Sequence, residues 1–82
     1  MARIIDGEKM NLVGKQVRRF RVEQQMSWQQ LSAKLETLAV YICRGSVSGI
    51  EDQTRTVSDI ELWGLAKIPE KPIQSFFDDV DC

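Results

Sequence analysis

Few residues of this 82-residue chain belong to the types that usually perform catalysis. The chain has no histidine, the commonest general base, which removes Ser/His triads and most zinc sites. Its two cysteines, Cys43 and Cys82, lack CxxC spacing and are too few for a disulfide framework. Neither a histidine nor a glycine-rich phosphate loop accompanies the numerous carboxylates, so nothing selects an acid/base pair. We therefore expect a protein that is not an enzyme and that binds neither a metal nor a cofactor.

Charge is spread unevenly along the chain, although the net charge is only −1. Residues 1–35 contain seven Lys or Arg and three Asp or Glu, a balance of +4, whereas residues 36–82 contain four and nine, a balance of −5. This asymmetry predicts a basic face beside an acidic tail. Because aromatic residues do not alternate with the basic ones, a platform that stacks single-stranded nucleic acid is not expected.

The length allows one small domain, and the composition, 43% hydrophobic and 28% charged, is typical of globular proteins. The first residues contain no long apolar run, so we expect no signal peptide, no membrane span and a cytoplasmic location. Residues 1–10 are expected to form a leader and residues 11–77 the domain. Residues 78–82 form an acidic end that contains Asp78, Asp79 and Asp81.

The spacing of apolar residues predicts a first helix over Leu12–Gln25, with Asn11 as its N-cap. Residues 39–45 are apolar and β-branched, but a lone strand would have no partner. This stretch is therefore interpreted as a packed connection. Helical spacing resumes over Ser46–Asp52, with Val47 and Ile50 on one side.

A capping box marks the start of the second helix. Ser27 precedes Gln30 by three residues, so each side chain can bond the backbone amide of the other. Met26 before the cap and Leu31 after it form the hydrophobic staple that accompanies such starts. The pattern predicts a helix from residue 28 to about residue 38.

The same capping chemistry recurs at Ser58 and Glu61, where it predicts another helix. The pair Ile68–Pro69 ends that helix, and Pro72–Phe77 is predicted to form a last short one, because proline suits a first helical position. The expected fold is an all-α domain of about five short helices around one core.

Five stretches of the sequence are each a weak signal, but their joint presence and order make a more specific pattern. They are Gly14–Arg21, Ser27–Leu35, Val47–Glu51, Arg55 and Val57–Leu62. Together they resemble the phage-repressor-like (Cro, XRE) helix-turn-helix DNA-binding family over nearly the whole chain. The resemblance implies a compact five-helix DNA-binding domain, in which the second and third helices form the helix-turn-helix and the third enters the major groove. It implies a sequence-specific transcriptional regulator of double-stranded DNA, a repressor that works as a homodimer on two half-sites.

The resemblance also assigns roles to particular residues. Base readers are expected at Arg44, Ser46, Ser48 and Gly49, and Arg44 is the best of them because its fork can bond guanine O6 and N7 together. Phosphates are expected at the helix start formed by Ser27, Trp28 and Gln29, and at Arg55 and Thr56. Arg21 and Glu51 are expected to form a structural ion pair that joins the first and third helices. Dimer contacts are expected among Ile60, Trp63 and Phe76.

The departures from the family pattern include three single residues. Trp28 stands where a glutamine is common, and an indole can donate one hydrogen bond but accept none. Gln53 stands where a glycine usually follows the third helix. Cys43 replaces the expected Ser or Thr cap, so either Cys43 or Ser46 begins the third helix, and in the second case Arg44 lies on the loop.

Several of these residues also have a purely structural interpretation. Lys15, Arg18 and Arg19 are either a phosphate-facing patch or a solvated helix face, and the solvated face is favoured. Ile60 and Trp63 are favoured as core residues, with a dimer patch as the alternative. Phe76 and Phe77 are favoured as core closure, and Cys43 as a small buried hydrophobe.

The rival function is a protein-interaction module, an antitoxin or adaptor, that keeps the fold but has a degraded DNA face. The acidic second half of the chain favours it. So do Gly45 and Gly49, which bring no side chain to the expected recognition helix.

Overall fold

The computed structural model describes residues 9–78. This range is all-helical and contains no strand, which confirms that the domain is all-α. It holds four α-helices: α1 (Gly14–Glu23), α2 (Trp28–Glu36), α3 (Arg44–Glu51) and α4 (Asp59–Lys67). The predicted fifth helix is instead a short 3₁₀ segment, Ile73–Phe77. The expectations for most of the leader and for Asp79, Asp81 and Cys82 lie outside the described residues.

The first helix begins two residues later than predicted. Its N-cap position is Val13, and Asn11 lies before it. Asn11 Oδ1 nevertheless accepts hydrogen bonds from the backbone amides of Val13 (3.1 Å) and Gly14 (2.8 Å). Its Nδ2 donates to the backbone carbonyls of Ile50 (3.1 Å) and Arg55 (2.9 Å). The buried Asn11 amide therefore ties the start of α1 to the end of α3, which satisfies polar groups that would otherwise be orphaned.

The ends of three helices were hard to predict because no glycine marks them. Gln25, Ala39 and Gln53 follow α1, α2 and α3 with φ values of 56°, 61° and 63°. This left-handed conformation costs an L-residue about 1–2 kcal/mol, and glycine usually takes it. The first two helices therefore end two residues before the predicted Gln25 and Leu38.

Both predicted capping boxes are confirmed. The Ser27 hydroxyl accepts from the Gln30 amide at 3.1 Å, and Gln30 Oε1 accepts from the Ser27 amide at 2.8 Å. Ser58 and Glu61 repeat the arrangement at 3.2 and 2.9 Å. The starts of α2 and α4 are therefore set by local residues alone.

The core is apolar and receives residues from every helix and from the connection before α3. Phe20 and Phe76 meet edge to face with ring centroids 4.9 Å apart. The helices α1 and α3 cross closely at Gly14, where an added Cβ would lie 2.2 Å from the Ile50 carbonyl oxygen. The buried hydrophobic residues are Val13, Val17, Phe20, Leu31, Leu35, Val40, Ile42, Val47, Ile50, Leu65, Ala66 and Phe76.

Burial corrects three expectations about single residues. Ile60 and Trp63 are not core residues, because α4 packs through Gly64, Leu65 and Ala66 and leaves its other side exposed. Phe76 is 1% exposed and belongs to the core, so it is not available as a dimer contact. Cys43 is exposed rather than a buried hydrophobe. None of the helices within residues 9–78 combines the length and the apolar character needed to cross a bilayer.

Candidate nucleic-acid interface

The third helix has a buried inner side and a polar outer side. Val47 and Ile50 have no exposed surface. Arg44 and Gly45, in its first turn, are exposed, and Ser48 is half-buried one turn after Arg44. This division follows from the helical repeat, because residues three and four apart share a face. The outer side can therefore meet a partner without disturbing the core.

The start of α3 lies at Arg44, so the alternative in which Ser46 caps the helix is wrong. Cys43 occupies the N-cap position but makes no regular side-chain cap hydrogen bond. Its thiol instead bonds the Ser46 hydroxyl, with Sγ and Oγ 3.4 Å apart. Hydrogen bonding to the Ser46 side chain, and next to the Ser46 backbone amide, lowers the pKa of the Cys43 thiol. The first turn of α3 consequently lacks the oxygen cap that both α2 and α4 possess.

The connection between α2 and α3 is packed, as predicted, but one residue of α2 holds it in a way that the sequence did not indicate. The Ser32 hydroxyl donates a hydrogen bond to the Ile42 carbonyl. Val40 and Ile42 are buried, whereas Tyr41 between them is 77% exposed. The connection therefore ends in a fixed position, and this position sets where α3 starts. The sequence gives no sign of this bond, because a serine does not by itself reveal which acceptor it will reach.

The end of α3 is anchored by the ion pair that the resemblance implied. Arg21 Nε and Nη2 lie 2.6 and 3.1 Å from the two carboxylate oxygens of Glu51, a bidentate arrangement. The side chains are 14% and 2% exposed. Arg21 Nη1 also donates to the Met26 carbonyl at 2.7 Å, which ties in the approach to α2.

Trp28 joins this network from the surface, since it is 43% exposed. Its indole Nε1 donates to Glu51 Oε1 at 3.1 Å, and the Arg21 guanidinium lies 5.7 Å from the Trp28 ring centroid. Since an indole has one donor and no acceptor, this bond uses the whole polar capacity of the Trp28 side chain. The expected phosphate contact at Trp28 is thereby reduced to its backbone amide. Sequence reasoning identified the position but not that its side chain turns towards α3.

The other expected phosphate ligands differ in how available they are. Arg55 Nη2 pairs with Glu61 Oε2 at 3.1 Å, with side chains 34% and 18% exposed. Arg55 Nη1 is buried and has no hydrogen-bond partner within residues 9–78. Ser27, Gln29 and Thr56 are exposed. The site therefore offers one half-engaged guanidinium and three exposed polar side chains to an anion.

The carboxylate that holds Arg55 is also part of the α4 cap. Burial alone would raise the pKa of Glu61, but the hydrogen bond from the Ser58 amide and the charge and hydrogen bond of Arg55 outweigh it. The net effect lowers the pKa of Glu61 below its usual value. Arg55 also lies against α3. A Cβ added to Gly49 would be 3.5 Å from Arg55 Cδ.

The basic residues of α1 give less support to a phosphate patch. Lys15, Arg18 and Arg19 are exposed, and Arg19 pairs with Glu23 one turn later at 3.4 Å. Such an exposed pair is typical of a solvated helix face.

No protein-family model and no curated protein matches the chain. The likeness to the repressor family therefore depends on the quoted segments.

Proposed function

We propose that this protein is a sequence-specific, double-stranded DNA-binding transcriptional regulator, a repressor that places α3 in the major groove. In this proposal α2 and α3 are the helix-turn-helix of a compact repressor-like domain, and the 3₁₀ segment stands for its fifth helix. The observation that supports it most is the outer side of α3. Its first turn is exposed and carries Arg44, while its inner residues are completely buried.

Within the groove, Arg44 reads a guanine through two parallel hydrogen bonds, which discriminates by about 1–3 kcal/mol against other bases. Ser46 and Ser48 add hydroxyl contacts, and Gly49 lets the backbone approach. Gly45 contributes no side chain. Direct readout is therefore thin, and the deformability of the DNA supplies the remaining specificity.

The phosphates are held on both sides of α3. Ser27 and Gln29 lie at the capped start of α2, and Arg55 and Thr56 follow the end of α3. Anions are attracted to helix N-termini, where amides are open and the helix dipole is positive. These contacts fix the register of the protein on the duplex, and they make affinity fall steeply as salt rises.

The proposal is tested by selecting duplexes from a random pool and measuring affinity by fluorescence anisotropy at two salt concentrations. We expect a selected duplex to bind more tightly than a scrambled one, and both to bind more weakly at high salt. Arg44→Ala should lower the preference for the selected duplex about 5- to 150-fold, the equivalent of the base discrimination.

Arg18→Ala is the matched control, because it removes an exposed arginine from α1 rather than α3. It should leave the preference between duplexes unchanged. Absence of any binding at low salt contradicts the proposal. An Arg44→Ala variant with unaltered preference contradicts the base-reading role alone.

The second candidate is a protein-interaction module on the same fold. It is favoured by the exposed Ile60 and Trp63 on α4 and by the pairing of Arg21 and Arg55 with carboxylates, which withdraws positive charge from the α3 side. A folded protein, verified by circular dichroism, that ignores every duplex at low salt would favour this candidate.

A further inference from the structure

Arg55, one of the proposed phosphate ligands, is already paired inside the protein. It lies between α3 and α4: a Cβ added to Gly49 of α3 would be 3.5 Å from Arg55 Cδ, and Arg55 Nη2 donates to Glu61 Oε2 of α4 at 3.1 Å. Arg55 Nη1 is buried and has no hydrogen-bond partner within residues 9–78. One terminal nitrogen of the guanidinium is therefore out of reach of a phosphate, and the other is bound to a carboxylate.

The arrangement of these nitrogens limits what Arg55 can offer to DNA. An arginine binds a phosphate most strongly through two parallel N–H bonds, from Nε and Nη2 or from Nη1 and Nη2. Both of these forks include Nη2, which Glu61 holds, and the second also needs the buried Nη1. A phosphate can therefore take either fork only by displacing the Glu61 carboxylate or by sharing Nη2 with it.

The α4 cap keeps the Glu61 carboxylate in this place. Its Oε1 accepts from the Ser58 amide at 2.9 Å, while Oε2 holds Arg55. The Glu61 amide in turn donates to the Ser58 hydroxyl at 3.2 Å, and the Glu61 side chain is only 18% exposed. Because one oxygen belongs to the cap, the carboxylate cannot follow Arg55 towards DNA without breaking the cap. Its negative charge therefore stays beside Arg55.

We propose that Glu61 competes with DNA phosphate for Arg55 and so limits how tightly the protein holds DNA. This role of Glu61 rests on the proposed function, since Arg55 is one of its phosphate contacts. Glu61 itself does not touch DNA, and it acts through Arg55, by holding Nη2 and by repelling the phosphate. Phosphate contacts carry no information about base sequence, so Glu61 lowers the affinity for every duplex alike and leaves the preference between duplexes to α3.

The competition is tested with Glu61→Gln, which removes the charge but keeps an oxygen for the Ser58 amide. Affinity is measured by fluorescence anisotropy on the scrambled duplex over a range of salt concentrations. We expect Glu61→Gln to bind about three- to tenfold more tightly than the parent at about 0.1 M salt, the equivalent of one further phosphate contact. The slope of log affinity against log salt concentration should become steeper by about 0.9. The preference for the selected duplex should not change.

Two further variants separate this competition from a general change in charge. In an Arg55→Gln background, Glu61→Gln should bring no gain, because no guanidinium is left to release. Asp59→Asn is the matched control, since it removes a carboxylate from the same turn of α4, where Asp59 Oδ1 accepts from the Ile60 amide at 2.7 Å rather than from Arg55. It should leave the salt slope unchanged.

An equal gain from Asp59→Asn, or a gain that persists without Arg55, overturns the competition. So does a Glu61→Gln variant, shown to be folded by circular dichroism, that binds DNA no more tightly than the parent.

A small phosphate probe distinguishes failure of this inference from failure of the proposed function. Inorganic pyrophosphate is titrated into the parent and into Glu61→Gln, and the NMR signal of the Arg55 Nε–H group is followed. The signal should move at a lower pyrophosphate concentration in Glu61→Gln than in the parent. Such a difference in a protein that ignores every duplex contradicts the proposed function only. A signal that moves no earlier in Glu61→Gln than in the parent overturns the competition, whether or not the parent binds DNA.

Discussion

The helices α3 and α4 are similar in length, but they are held by different means. At the start of α4, Ser58 and Glu61 form a complete capping box within four residues of sequence. The start of α3 has no such cap, and its other end is fixed from far away in the chain. Glu51 bonds Arg21 and Trp28, and the Ile50 carbonyl accepts from Asn11. Tertiary contacts therefore fix the position of α3, whereas residues close together in the sequence fix the start of α4.

The two helices also differ in the chemistry of the residues that they expose. The outer side of α3 presents Arg44, a glycine and hydroxyls, which suit a wet and charged partner. The outer side of α4 presents Ile60 and Trp63, which suit another protein surface. Substitutions that remove these contacts, or add the missing cap, test how each helix is held.

The largest effect is expected from Glu51→Ala, which removes the long-range anchor of α3. It leaves the Arg21 guanidinium buried without its carboxylate and Trp28 without its acceptor. Breaking a buried pair in this way costs about 3–5 kcal/mol in free energy of unfolding, enough to unfold much of a small domain. Urea titration followed by circular dichroism measures the loss.

Glu23→Ala provides the control for that variant, because it breaks the exposed Arg19–Glu23 pair instead. Its cost should stay below about 0.5 kcal/mol. Similar losses in the two variants would mean that the Glu51 network does not anchor α3.

The next effect is expected at the crossing of α1 and α3. Gly14→Ala places a methyl group 2.2 Å from the Ile50 carbonyl oxygen, and backbone must move to admit it. Overpacking of this kind costs about 1–3 kcal/mol. Gly45→Ala is the matched variant, because no atom of the described part of the chain lies within 4 Å of the added methyl, and it should raise stability by up to about 1 kcal/mol. Equal effects of the two alanines, measured by thermal unfolding, would contradict the crossing.

These contrasts explain how much of the fold the sequence could predict. The capping boxes at Ser27 and Ser58 are local, so the starts of α2 and α4 were predicted correctly. The stop of α4 at Ile68–Pro69 was also predicted correctly. The ends of α1 and α2 were not, because Gln25 and Ala39 adopt a conformation that glycine normally signals. The start of α1 was missed because Asn11 divides its hydrogen bonds between α1 and two distant carbonyls.

The candidate site was predictable to a similar degree. The family likeness pointed to the Arg21–Glu51 pair, which the structure contains. It could not show that Trp28 completes this pair, since only the folded chain brings the indole to Glu51. The sequence also could not show that Trp63 is exposed, because Ile60 and Trp63 have the spacing of apolar residues that face a core. The inner side of α4 passes close to its neighbours at Gly64, where an added Cβ would lie 3.0 Å from Val40 Cγ2 and 3.1 Å from Leu35 Cδ2.

A smaller effect is expected from giving α3 the cap it lacks. Cys43→Ser places a hydroxyl at the N-cap position, where the backbone already has the extended conformation of a cap. We expect a gain of about 1 kcal/mol, the usual value of such a cap. Ser58→Ala should lose a similar amount at α4. Cys43→Ala serves as the control without an oxygen, and a stability equal to that of Cys43→Ser would show that no cap forms.

The smallest effect concerns the pH dependence of the α4 cap. The pKa of Glu61 is lowered in the folded protein, so its carboxylate stabilises the fold at pH values above its unfolded pKa. This contribution is lost as the pH falls below about 4.5 and through the lowered folded pKa. Glu61→Gln should therefore destabilise the protein by about 0.5 kcal/mol at pH 7 and by much less in acid.

Replacing Arg55, which pairs with the Glu61 carboxylate, separates the contribution of Arg55 from that of Ser58. In an Arg55→Gln background the same Glu61→Gln change should cost less at pH 7, since only the hydrogen bonds of the Ser58 amide and side chain still favour the charged form. Urea unfolding of the four proteins of this cycle, at pH 7 and at pH 3, measures both differences. A cost of Glu61→Gln that is independent of pH would mean that the cap uses Glu61 as a hydrogen-bond acceptor only. The start of α4 would then depend on geometry rather than charge, and the contrast with the ion-paired end of α3 would be sharper.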